Sequence, residues 1–127
     1  MKYPRLLRRI ALAAATIAAT AAIAESHYMK YVQWGDEAVA NGKYSDAIEC
    51  YREAMKAEPT NPQNVMLLSN VGMIQHYQGE ESLALRTLTD ARAIAPGSVV
   101  ILHNRAKILE SLGRPYDAIL DLDKALE

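Results

Sequence analysis

The chain has 127 residues, half of them hydrophobic, with seven Tyr, one Trp and no Phe, a composition that suits close-packed helices better than a β-sandwich. Its formal charge of −1 is segregated: Lys2, Arg5, Arg8 and Arg9 stand in residues 1–24 without an acid, and the remainder carries 10 Lys+Arg against 15 Asp+Glu, a net of −5. An acidic body with no basic stripe argues against a nucleic-acid partner, and Cys50, the only cysteine, excludes an intrachain disulfide or a zinc site built on cysteines.

Residues 1–24 read as an address. A basic front is followed by an uncharged run from Ile10 to Ile23, and Ala22-Ile23-Ala24 places small residues just before Glu25. This is the pattern of a Sec-type signal peptide cut between Ala24 and Glu25. The run would span roughly 21 Å as a helix, short of the ~30 Å hydrocarbon core. Cleavage and a periplasmic or secreted location are expected; the alternative is an inner-membrane anchor formed by residues 10–23. Arg8-Arg9 lacks the flanking residues of a twin-arginine signal, and no Cys follows the run to accept a lipid.

Residues 25–127 form the expected domain, and they repeat. The first helix of a pair is predicted over 27–41, a turn at Gly42, and the second helix over 44–57, stopped at Pro59. A second copy follows: helices over 63–78 and 81–94, with Gly79 in the turn and Pro96 at the stop. The third has helices over 98–112 and 115–126 with Gly113 between them. Gly79 to Leu85 and Gly113 to Ile119 align at a shift of 34, whereas Gly42 to Ile48 precede Gly79 by 37, the extra residues falling around Asn61-Pro62-Gln63. Gly suits the left-handed residue that ends a helix, and Pro cannot continue one. Gly35, Gly72 and Ala106, then Ala47, Ala84 and Ala118, then Ala54, Ala91 and Ala125 are small residues at matching levels that let paired helices approach closely. Tyr31, Trp34, Tyr51, Leu68, Val71, Leu88, Leu102 and Leu122 are expected to fill the space between pairs.

The third copy stops at Glu127, about five residues before a closing Pro would fall on this period. An uncovered apolar flank carrying Leu122 and Leu126 is expected there. Two readings stand: the chain is part of a longer array, or the flank self-associates or docks on another assembly.

This combination resembles the tetratricopeptide repeat family. The resemblance rests on Trp34-Gly35, Gly42-Lys43-Tyr44, Ala47-Ile48, Tyr51, Ala54 and Pro59; on Asn70, Gly72, Gln78-Gly79, Ala84-Leu85, Ala91 and Pro96; and on Asn104, Gly113, Ala118-Ile119 and Ala125-Leu126. It implies an all-α helix-turn-helix solenoid of three pairs over about 28–61, 65–98 and 99–127, the last incomplete, forming a right-handed superhelical segment. Arg105 and Pro115 depart from the family pattern, which prefers a bulky apolar residue and an aromatic there.

The resemblance further implies a concave groove lined by the first helices, binding a protein or peptide. Its expected residues are Met29, Val32, Asp36, Met66, Ser69, Asn70, Met73, His76, His103, Asn104, Lys107 and Glu110. Some family members grip acidic chaperone tails with a basic clamp; Val32, Asp36, Val100 and Asn104 do not supply one, so a partly apolar ligand is expected.

Other chemistry is thin. His76 and His103 are level with different turns of their helices, too far apart to share a metal, and are read as groove-lining or solvated. Asp121 and Asp123 point to opposite helix faces, and neither a nucleophile constellation nor a phosphate loop is present. Met29, Met66 and Met73 share one face; groove lining, packing and a copper(I) site are the readings open to them. No enzyme and no cofactor is expected. The expected role is an extracytoplasmic adaptor, the alternative a structural segment docking through its C-terminal flank.

Overall fold

The computed structural model describes residues 4–127. Six α-helices follow one another among them: α1 Pro4–Ala40, α2 Tyr44–Ala57, α3 Asn64–Tyr77, α4 Glu81–Ile94, α5 Val99–Ser111 and α6 Pro115–Ala125. From α2 onward every boundary lies within a residue or two of the predicted one.

The exception is α1. The predicted start near residue 27 is moved back to Pro4, giving a continuous helix of 37 residues, about 55 Å long at 1.5 Å per residue. The cause is local: between Pro4 and Gly35 there is no helix breaker, and Ala, the strongest helix former, dominates the run. Ala11 to Thr20 are all exposed. Thr16 and Thr20 return their hydroxyls to the helix, donating to the carbonyls of Leu12 and Ile17 at 2.9 and 2.8 Å. Lys2 of the basic front lies outside the described residues, as do the side chains of Ala24 and Glu25 at the expected cut. No helix among the described residues is long and apolar enough to cross a membrane.

The three intra-pair turns are built alike. Gly42, Gly79 and Gly113 have φ of 69, 80 and 70°, the left-handed region where a Cβ is strained. In each turn the next residue donates back across the helix end, Lys43 to Ala38, Glu80 to Gln75 and Arg114 to Leu109, at 2.8–2.9 Å. This double-bonded end satisfies carbonyls that a frayed helix would leave to water.

Each helix packs on its neighbours in sequence. Close approach comes from the small residues: Ala47, Ala54, Ala84 and Ala91 are completely buried, and Ala106 and Ala118 nearly so. A Cβ added at Gly35 would meet the Tyr51 ring at 2.5 Å, and one at Gly72 would meet Leu88 Cγ at 2.8 Å. One core cluster joins α1, α2 and α3 through Tyr28, Ala38, Tyr51, Leu67, Val71 and Ile74. Two smaller clusters, around Leu88 and Ile108 and around Ala106 and Leu109, continue it to α6.

Trp34 departs from expectation. It is 43 % exposed, edge-on to Tyr31 at 5.6 Å with the Lys30 ammonium 4.7 Å from its ring centroid. Its repeat equivalent Val71 is buried against the preceding helix pair. Nothing among the described residues packs on that side of α1, so the indole has no pair to fill against.

Candidate concave groove

Successive first helices are not evenly spaced. Cα atoms of α3 and α5 come within 8 Å of one another, whereas those of α1 and α3 do not. The connection from α2 to α3 is the one carrying the three additional residues; it is folded on itself, with Asn61 Nδ2 donating to Glu58 Oε2 at 2.6 Å and Asn64 Nδ2 to the Glu58 carbonyl at 2.7 Å. The longer loop lets the second pair sit further from the first, and the concave face opens there.

The opening is a cavity of about 570 Å³ lined by Asp36, Val39 and Ala40 of α1, Tyr51 of α2, Asn70, Met73, Ile74 and Tyr77 of α3, and Asn104 and Lys107 of α5. Its size lies within the range of small-molecule and peptide sites. A second hollow of about 550 Å³, lined by Met29, Lys30, Val32, Gln33 and Asp36, meets the first at Asp36.

Seven of the twelve residues expected to line a groove therefore border these two hollows: Asp36, Asn70, Met73, Asn104 and Lys107 the first, Met29 and Val32 the second. Met66, His103 and Glu110 are exposed but border neither. Ser69 is 1 % exposed and cannot meet a ligand; its hydroxyl accepts from Asn104 Nδ2 at 3.1 Å, so it orients Asn104 instead. His76 is turned away to the Glu81 carboxylate, 2.7 Å from Nδ1. That acceptor-only partner requires the ring to donate, and the pair joins the end of α3 to the start of α4.

Val39, Ala40, Tyr51, Ile74 and Tyr77 were not anticipated. Ala40 and Tyr77 follow Asp36 and Met73 by four residues, one turn along the same helix face, so helical period alone would have found them. Tyr51 belongs to a second helix and reads from sequence as packing only. Its ring is buried, and its hydroxyl donates to Asp36 Oδ1 at 2.6 Å. Burial first, and then this bond to a carboxylate, hold the Tyr51 phenol well above the usual tyrosine range. The phenol thus stays protonated and keeps donating to Asp36.

The ionisable side chains that line the groove are Asp36, Tyr51, Tyr77 and Lys107. Among the described residues no group of three or more His, Cys, Asp or Glu could hold a metal. Neither Asp36 nor Lys107 takes part in an ion pair among the described residues.

The sequence pattern described as "Tetratricopeptide repeat" matches residues 24–61. The photosystem I assembly protein Ycf3 of Prochlorococcus marinus strain MIT 9301 is 33 % identical over 104 residues, covering 80 % of this chain and 60 % of that protein. Its counterpart in Synechococcus sp. strain CC9605 is 33 % identical over 84 residues, covering 66 % of this chain and 49 % of that protein. The chain therefore spans about half to 60 % of the length of these relatives. Among solved structures, a tetratricopeptide repeat protein from Parabacteroides merdae ATCC 43184 superposes with a TM-score of 0.75 at 34 % identity, covering 80 % of this chain and 40 % of that one. The second such domain of Spaghetti (RPAP3), solved with an HSP90 peptide, gives 0.69 at 22 % identity, covering 82 % of this chain and 95 % of that one, and carries the fold alone.

Proposed function

Because the chain belongs to the tetratricopeptide repeat family, whose helix pairs form a protein-interaction scaffold, we propose that it is an extracytoplasmic adaptor holding an extended segment of a partner protein in the concave groove. The observation that carries this reading is a cavity to which α1, α3 and α5 all contribute. It is partly apolar through Met73, Ile74 and Tyr77, and it offers hydrogen-bonding groups from Asn70 and Asn104. Extended segments need both, since their side chains want burial and their backbone amides want partners. The groove set proposed is accordingly Met29, Val32, Asp36, Asn70, Met73, Asn104 and Lys107, with Val39 and Tyr77 added, while the buried Tyr51 and Ile74 form its floor. The relatives named for photosystem I assembly support a role in bringing polypeptides together.

The extracytoplasmic setting rests on residues 1–24. The helix over residues 4–24, with exposed Leu12, Ile17 and Ile23 and threonine hydroxyls bonded back to the backbone, is suited to apolar surroundings, as an export signal or a retained anchor would need. The mass of the N-terminus in the mature protein separates the two: a start at Glu25 supports the signal, and an intact N-terminus in a membrane fraction supports the anchor.

Groove binding is tested with Met73→Arg, which places a long charged side chain in the middle of the cavity. The variant should fold and lose the proteins that wild type captures from an envelope extract. Identical capture by both would refute the groove. A second reading, docking through the C-terminal flank, is favoured by the exposure of Tyr116, Leu120 and Leu126, at 84, 66 and 86 %. Sedimentation tests it: concentration-dependent association that Leu126→Lys abolishes supports it, and a monomer at high concentration rejects it.

A further inference from the structure

Resting on the groove reading above, we infer that the ligand is an extended segment carrying a basic residue and an acidic residue on either side of an apolar one. Asp36, Met73 and Lys107 occupy one register position on the three successive first helices, separated by the repeat shifts of 37 and 34. All three border the same cavity. Along the groove axis they present a carboxylate, a thioether and an ammonium, in that order.

The acidic end is preorganised. Tyr51 is 2 % exposed and holds one Asp36 oxygen at 2.6 Å, leaving the other oxygen to accept from a ligand cation. A carboxylate already fixed by a rigid buried ring loses little freedom on binding. At the other end, Lys107 is exposed and makes no ion pair among the described residues. Three residues before this row stands a second one, Gln33, Asn70 and Asn104. Their carboxamides both donate and accept, which fits a peptide backbone whatever its sequence. The first row reads side chains and the second holds the main chain.

The reach of the ligand follows. One packed interval of about 8–10 Å separates α3 from α5, the interval from α1 to α3 is wider, and an extended chain rises about 3.3 Å per residue. Basic and acidic residues therefore stand at least about five to six positions apart, with the apolar side chain between them at Met73 and Tyr77. Like charges are discriminated against at one end or the other: an acidic segment meets Asp36, and a basic one meets Lys107.

Fluorescence anisotropy with the full chain tests this. The probes are end-blocked heptapeptides Lys-Gly-Ser-Leu-Ser-Gly-Glu, its counterpart with Gln at both outer positions, and counterparts with Lys or Glu at both. The dipolar peptide should bind tightest, and each like-charged peptide roughly three- to tenfold more weakly. Lys107→Glu should move the preference to the peptide with two Lys, and Asp36→Lys to the one with two Glu. Asp36→Asn, which keeps an acceptor for Tyr51, removes the charge that selects the basic end, so the dipolar peptide and the peptide with Glu at both outer positions should bind alike. Equal binding of dipolar and neutral peptides, unmoved preferences in the charge variants, or no binding by any peptide overturns the charge reading. If dipolar and neutral peptides bind alike and Met73→Arg abolishes both, the charge reading fails while the groove stands. Binding indifferent to Met73→Arg removes the groove as well.

Discussion

Tyr51 shows how one side chain serves both packing and recognition. Its ring fills the notch left by Gly35, where a methyl group would stand 2.5 Å from Cε1, and its hydroxyl fixes Asp36 at 2.6 Å. Burial and that bond raise its pKa above the ordinary 10.0, so the fold binds this proton more tightly than the unfolded chain does. The stability this contributes is complete below pH 10 and is lost as the pH rises through the folded value. Tyr28 is raised as well, by burial and then by Glu58. In a spectrophotometric titration of the folded protein these two of the seven tyrosines should ionise last, together with unfolding; Tyr51→Phe should remove one late step. A single uniform tyrosine transition near pH 10 would contradict the assignment. Trp34 makes the converse point: a residue type that sequence reads as core filler is exposed where no neighbouring pair reaches it.

At the level of helices, the third pair explains its own departure from the repeat pattern. Arg105 replaces the apolar residue expected on the first helix, and Asp121 is buried on the second. Arg105 Nη1 donates to Asp121 Oδ1 at 2.9 Å, and Arg92 Nη1 of α4 reaches the same oxygen at 3.2 Å. Burial lowers the Arg105 pKa while Asp121 opposes the shift. The ion cluster thus ties α4, α5 and α6 at a level where the second pair uses Val71 on its first helix and Thr87, donating to Gln75 at 2.7 Å, on its second. In the sequence Asp121 stands beside Asp123 on the opposite helix face, and its partner sixteen residues away is not legible there because no local period connects them. Asp121→Ala should cost about 3 kcal/mol, since it leaves two arginines without a partner. The double variant Arg105→Leu/Asp121→Leu should recover most of that loss. Urea unfolding of the three proteins checks both, and equal stability of Asp121→Ala and wild type would rule the network unimportant.

For the whole molecule, shape follows from a small irregularity of spacing. A strict 34-residue period would set the first helices at even intervals; the extra residues before α3 open the concave face between α1 and α3, where the cavity lies. Deleting Thr60–Pro62 should close that interval. Helicity by circular dichroism should be unchanged, while the dipolar heptapeptide binds at least roughly tenfold more weakly. Unchanged affinity would place the ligand elsewhere.

The order and bounds of the helices after α1 could be read from the chain alone, because Gly42, Gly79, Gly113, Pro59 and Pro96 act on their own neighbourhood through φ and the missing N–H. So could the close approach of paired helices, since alanine at matching levels leaves no other bulk to separate them. The face of Asp36, Met73 and Lys107 was legible for the same reason, helical period being local. Tertiary structure alone decided that Ser69 is buried behind Asn104, that His76 turns to Glu81, that Tyr51 floors the groove and that Arg105 meets Asp121. Those outcomes depend on distances between helices, which a linear pattern of residues does not contain.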